Sequence, residues 1–415
     1  MKLRLTAIFC FCYLFLQAQP LIKQVENYSF AHFEKNRIVY PSDSTSFESF
    51  FDKLDQLLFT GEGNINIVHI GGSHVQAGVF TQQLRQNMLS LTAGIEASRG
   101  LIFPFSAAKT NNPPSFKTRY TGKWVSYRNT QSNHDKTLGL TGIAICTSDT
   151  NATISVSLRE QNNLIASQKH LFNTITVLGY STNDSLFPII KANDTIQEPF
   201  HNKKKGTYTF HLETYTDSVS FAMNKCKGEF TLTGILLENN FPGITLHGIG
   251  VNGASLNSYF RCERFLQDLN LINPDLMIFA IGINDATSVN FDESIFIANY
   301  EKLIKQIQEQ YPTCAFLFIT NNDSFRHYRR SYQVNRNGAI VEKAFFQIAE
   351  KYNGAVWDLF DIMGGLRSMQ QWEDEGLAKR DKIHFTKKGY TLLGDLLYNA
   401  IMERYLEHLQ SKFNN

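Results

Sequence analysis

Asn64-Ile-Asn-Ile-Val-His-Ile-Gly-Gly-Ser-His74, followed by Phe80, Leu84 and Met88 at four-residue steps, is the stretch that decides the fold. Asn64 to Ile70 is β-branched and apolar enough for a strand buried between two layers of helices. Gly71 and Gly72 then break it. Two successive glycines admit backbone angles closed to other residues, so the chain can reverse tightly and present Ser73 at the carboxyl edge of a sheet. Phe80, Leu84 and Met88 give the next helix one apolar stripe to lay on that sheet.

Upstream, Ser42-Asp-Ser-Thr45 offers caps for a helix in which Phe47, Phe50, Phe51, Leu54, Leu57 and Leu58 recur at three- and four-residue intervals. This helix is expected to cover the Asn64 strand. Downstream, residues 117–240 change character: short alternating segments rich in Thr, Ser, Val, Ile and Tyr are separated by turns, the pattern of a β-sandwich of jelly-roll type. The α/β pattern then resumes. Strands are expected at 243–251, 275–281, 315–320 and 355–359, and helices at 256–271, 292–311, 337–352 and 388–408. Strand and helix in alternation imply a parallel sheet with helices on both faces, interrupted by an insertion. The divisions that follow are 1–18, a secretory signal; 19–59, an arm and helix; 60–108 and 242–415, the two parts of the α/β domain; and 109–241, the inserted sandwich.

Residues 1–18 carry Lys2 and Arg4, an apolar run from Leu5 to Leu16 and a Leu-Gln-Ala18 end, which reads as an export signal. That run is too short to span a bilayer stably, and no later stretch approaches the length required. Without it the chain has 38 cations and 38 anions, a balance that argues against a nucleic-acid partner. Cys146, Cys226, Cys262 and Cys314 remain. Cys146 with Cys226 is the pair to test for a disulfide, although free buried cysteines fit the wide spacing better.

Chemistry gathers at the strand ends. A serine hydroxyl needs a base within hydrogen-bond reach and a group that orients that base. Asp381 and His384, three residues apart in a turn, can supply both for Ser73. The backbone N–H groups of Ser73 and Gly253 and the Asn284 side-chain amide are candidate donors to an oxyanion. His74, Asn321 and Asp323 are candidates for substrate contact, with a structural histidine and a turn or cap as the competing readings. Trp124, Tyr127, Tyr180 and Tyr208 could stack on sugar rings, but aromatics in a sandwich are more often core. No His-Glu-x-x-His, no Cys-x-x-Cys in the mature chain and no clustered acidic loop points to a metal, and no cofactor is implied.

Four blocks, Gly71-Gly-Ser73-His, Gly253, Gly282-Ile-Asn284-Asp and Asp381-Lys-Ile-His384, resemble in order the signature blocks of the SGNH (GDSL-type) hydrolases. The resemblance covers roughly residues 60–108 and 242–410. It implies a flavodoxin-like three-layer α/β/α sandwich and metal-free ester hydrolysis. Where the family usually has Asp before the serine, this chain has Gly72. The inserted sandwich and the leading signal resemble the branch that contains bacterial peptidoglycan O-acetylesterases, in which the insertion is similar to a carbohydrate-binding module. The expected partner is then an O-acylated glycan, peptidoglycan or another polysaccharide. The expected function is an exported serine esterase, periplasmic, surface-held or secreted. A non-catalytic glycan-binding protein with a degraded site, and an acyltransferase or lipase using the same residues, are the competing classes.

Overall fold

The computed structural model describes residues 21–414 apart from 44, 92–95, 160–169, 193–194 and 330, so the expected export signal lies outside the described residues. The central sheet runs in the order Ile38–Val39, Ala355–Trp357, Ala315–Ile319, Leu276–Ala280, Asn64–Gly71, Gly243–Gly250. Five of these strands are parallel; Ile38–Val39 pairs antiparallel at the edge. Numbered along the chain, the parallel strands stand in the flavodoxin-like order 2-1-3-4-5. The order reverses at Asn64–Gly71, the strand that leads into Ser73.

Side chains alternate across this sheet as the two-residue period of a strand requires. Leu276, Ile278 and Leu317 face one apolar layer together with Phe47, Phe51 and Leu54 of the helix Thr45–Thr60 and with the helix Lys387–Asn414. Met277, Phe279, Phe316 and Phe318 face the other, with Phe296, Tyr300 and Phe345 of the helices Glu293–Gln310 and Asn337–Lys351. Phe279 and Phe318 stack with centroids 5.3 Å apart. Asp292 caps the first of those two helices by accepting the Ile295 N–H at 3.1 Å.

The inserted region forms two antiparallel sheets, and its core is continuous with the second layer. Strands at Ile143–Thr147, Thr153–Leu158, Phe172–Ser181, Thr207–Thr216, Ser218–Met223 and Phe230–Glu238 lie within the stretch 117–240 that the sequence marks as β-rich. Gly100–Ile102 also belongs to this region, because it pairs with Ile235–Leu237. Trp124 and Tyr208 are buried there as core. All four cysteines of the described residues are free, Cys226 half-buried and the others buried, so Cys146 and Cys226 form no disulfide.

The expected helix 256–271 is instead two short ones, Leu256–Tyr259 and Phe265–Leu269. Between them the backbone turns to the insertion: Arg264 donates its N–H to Leu138 O at 3.1 Å, and Glu263 accepts from Leu138 N at 2.9 Å. Contacts across domains replace the intrahelical bond.

Phe279→Ala, which empties a fully buried site, lowers unfolding stability by about 3–5 kcal/mol, whereas Asp292→Ala removes only a cap and costs about 1 kcal/mol; urea denaturation separates them. His69 and His247 are buried, and burial, with Arg85 nearby, pushes both down from 6.5 to about 3. Between those values the unfolded chain binds more protons, so stability is lost as pH falls below about 6.5. Thermal unfolding followed from about pH 8 to 4 is expected to show the midpoint falling already in the histidine range.

Candidate active site

Ser73 opens the short helix Ser73–Gln76 directly beyond the Asn64–Gly71 strand, where its backbone N–H has no helical carbonyl to meet. Gly72 has φ −99°, and Gly71 is also outside the left-handed region, so neither glycine serves a left-handed turn. Space requires Gly71. A β-carbon on Gly71 would stand 2.6 Å from Ala280 O and 2.6 Å from Val75 Cγ2. One on Gly72 would lie 3.3 Å from Asn284 Nδ2 and 3.4 Å from Ala254 O. Gly72 thus lets the Asn284 amide approach the serine turn.

His384 Nε2 lies 2.7 Å from Ser73 Oγ, across 311 residues of sequence. Its other ring nitrogen, Nδ1, lies 2.9 Å from Asp381 Oδ2. The second Asp381 oxygen accepts the backbone N–H groups of Ile383 at 3.0 Å and His384 at 2.9 Å. Partial burial works to raise the Asp381 carboxyl, but the backbone and ring of His384 and the Ile383 N–H outweigh it and hold the group below its usual range. A charged Asp381 fixes the tautomer that leaves Nε2 free to accept the serine proton. The His384 and Asp381 side chains are 30% and 44% exposed, so solvent and ligand reach the site.

The candidate oxyanion donors converge on the same turn. Gly253 has φ +79°, a left-handed angle suited to glycine, and the side where a β-carbon would stand is open. Asn284 Nδ2 donates one proton to Ala254 O at 2.8 Å, which leaves its second for the cleft. Asp285 accepts the Leu256 N–H at 3.2 and 3.1 Å, tying the Asn284 turn to the Gly253 turn. Burial pushes its carboxyl up to about 6.

Two candidates for substrate contact are placed elsewhere by their burial. Asp323 is fully buried and accepts the Met369 N–H at 3.0 Å; Asn321, 7% exposed, sits beneath Gly282. Asp323 thus serves the turn and not its surface. His74 directs Nδ1 to Tyr390 Oη at 2.8 Å, its Nε2 is sealed from solvent, and its ring lies 5.2 Å from that of His384. It packs behind the relay, and burial, with His384 adding, pushes it down to about 3, so it stays neutral.

Gln76 was not singled out by the sequence, and polarity alone could not have marked it. Its Oε1 accepts the Asn252 N–H at 2.7 Å, while Nε2 donates to Thr110 Oγ1 at 3.0 Å and Asn111 Oδ1 at 3.1 Å. It therefore joins the serine helix, the Gly253 turn and the start of the insertion. Asp52, Asp55 and His408 could together hold a metal ion, but they lie on the helices Thr45–Thr60 and Lys387–Asn414, and Lys412 already bridges the two carboxylates at 2.5 and 2.7 Å. Gln76→Ala, by orphaning the Asn252 N–H, is expected to lower kcat on a soluble ester about tenfold with little change in KM, as steady-state kinetics would show.

Residues 217–392 match the GDSL-like lipase/acylhydrolase family, a span that includes Gly253, Asn284, Asp381 and His384. No curated protein matches the chain. Among solved structures, a peptidoglycan O-acetylesterase superposes with a TM-score of 0.67 at 20% identity, covering 89% of this chain and 99% of its own. An acetyl xylan esterase, AlAXEase, reaches 0.32 at 18% identity over 38% of this chain and 81% of its own. A family two carbohydrate esterase from Cellvibrio japonicus reaches 0.29 at 10% identity over 70% of this chain and 100% of its own, and neither score bears on the whole fold. The family match over residues 217–392 and the fold shared along nearly the whole chain with the first of these structures support an SGNH/GDSL-type carboxylic ester hydrolase resembling peptidoglycan O-acetylesterases.

Proposed function

We propose that this chain is an exported serine esterase that removes O-acetyl groups from a cell-envelope or extracellular glycan. The observation that carries the reading is the continuous relay from Ser73 Oγ through His384 to Asp381, with links of 2.7 and 2.9 Å, at the carboxyl edge of the parallel sheet. In this mechanism His384 Nε2 takes the Ser73 proton as Oγ bonds to the ester carbonyl carbon. Asp381 stabilises the imidazolium. The carbonyl oxygen becomes the oxyanion and is met by the N–H groups of Ser73 and Gly253 and by the Asn284 amide. Collapse breaks the carbon–oxygen bond to the sugar, whose alkoxide leaves with the proton from His384. Water, deprotonated by the same imidazole, then attacks the acyl-serine carbonyl; the bond to Ser73 Oγ breaks, His384 returns the proton to Oγ, and acetate is released.

The glycan substrate is supported by the fold shared with a peptidoglycan O-acetylesterase, the insertion included. Export is supported by the charge and hydropathy pattern of residues 1–18. No helix among the described residues is long and apolar enough to cross a membrane.

The test is acetate release from O-acetylated peptidoglycan and from acetylated xylan, beside hydrolysis of p-nitrophenyl acetate. Ser73→Ala and His384→Ala are each expected to lower kcat by roughly 10⁴-fold or more with the fold intact by circular dichroism. Equal turnover by the Ser73→Ala variant would remove the serine mechanism. Preference for long acyl chains, or a requirement for an acyl acceptor other than water, would replace the deacetylase reading with a lipase or a transferase.

A further inference from the structure

Behind the serine turn, the helix Val79–Leu89, the strand Gly243–Gly250 and the inserted sandwich enclose a cavity of about 20 Å³. Val75, Thr81, Arg85, Arg99, Phe116 and Gly248 are among its lining residues. Two arginines therefore border one small space, and Arg85 and Arg99 are only 1% and 6% exposed.

Neither arginine forms an ion pair with a carboxylate among the described residues. Arg85 donates from Nη1 to Gln82 Oε1 and from Nη2 to Leu246 O. Arg99 donates from Nη2 to Ser115 Oγ at 3.1 Å and lies over the Phe116 ring at 5.1 Å. All of these partners are neutral. Arg85 Nε, Arg99 Nε and Arg99 Nη1 are buried and meet no acceptor among the described residues. His69, His170 and His247, the buried titratable groups that feel Arg85, are basic too and bring no negative charge.

A guanidinium group keeps its proton in proteins, so burial cannot be relieved by neutralisation as it is for lysine or histidine. Two such charges with unused donors in a low-dielectric space repel each other and require a counter-charge. A water molecule would satisfy donors but not charge. The cavity holds little more than one water-sized sphere, which excludes acetate, phosphate or a sugar carboxylate.

We propose that this cavity is a binding site for a monatomic anion, chloride in ordinary media, held between Arg85 and Arg99. Arg85 belongs to the hydrolase layer, while Arg99 reaches Ser115 and Phe116 of the insertion, so the ion joins the two parts of the chain. Val75, in the helix that begins at Ser73, lines the same cavity. The bound ion thereby braces the serine turn from behind.

Crystals of the whole protein soaked in sodium bromide and measured at the bromine edge decide the matter. An anomalous peak in the cavity between the two guanidinium groups is expected, and its absence at full soak overturns the proposal. In solution, thermal unfolding is compared in chloride and in gluconate at equal ionic strength. The midpoint is expected to be about 2–4 °C higher in about 0.2 M chloride, and Arg99→Met is expected to abolish that increment. A chloride increment that survives in folded Arg99→Met places the effect elsewhere and overturns the assignment. If that variant does not fold, the bromide measurement on the unaltered chain stands alone.

Discussion

The space occupied by residue 71 constrains everything around it. Gly71 pairs with Ala280 across the two central strands, and the helix that begins at Ser73 folds back so closely that any β-carbon there would overlap a carbonyl oxygen and a valine methyl group. Tyr259 closes the same point from another side by donating to Gly71 O at 2.7 Å. Close packing of this kind leaves one position for the serine turn, because interiors transmit strain and do not absorb it. Ser73, the Gly253 turn and the Asn284 turn are then fixed relative to one another, as electrostatic preorganisation of an oxyanion site requires.

The histidine arrives from the far end of the chain, and its loop is held with equal care. Lys379 donates its N–H to His384 O at 2.7 Å, Phe325 donates to Lys382 O at 3.0 Å, and Asn322 Nδ2 donates to Ile383 O at 3.0 Å. The Lys382 ammonium is pinned by Glu373 at 2.7 Å and lies over the Phe325 ring. The turn around Asn321 to Asp323, which its place at a strand end marks for substrate contact, is thus part of the scaffold behind the histidine loop. Polar residues at a sheet edge satisfy loop backbone as readily as they meet a ligand.

The insertion enters this machinery at two places. Gln76 ties Asn111 to the Gly253 turn, and the Leu138–Leu140 segment breaks the chain between Leu256 and Leu269 into two short helices. An apolar helical period over residues 256–271 is a local property. The carbonyl of Leu138 offers a competing partner that no local pattern contains, and the tertiary bond prevails.

Local sequence already carries the alternation of strand and helix, the β-rich stretch that interrupts it and the candidacy of Ser73, Asp381 and His384. These rest on local periodicity and on residue types whose chemistry is specific, and both survive without knowledge of distant contacts. Folding alone brought about the crowding that Gly71 answers to, the burial of Asp323 and the joining of three segments by Gln76. It alone also placed Arg85 and Arg99 on one cavity without a carboxylate. Each of these depends on atoms far apart in sequence, and steric exclusion, burial and charge balance exist only once those atoms have been brought together.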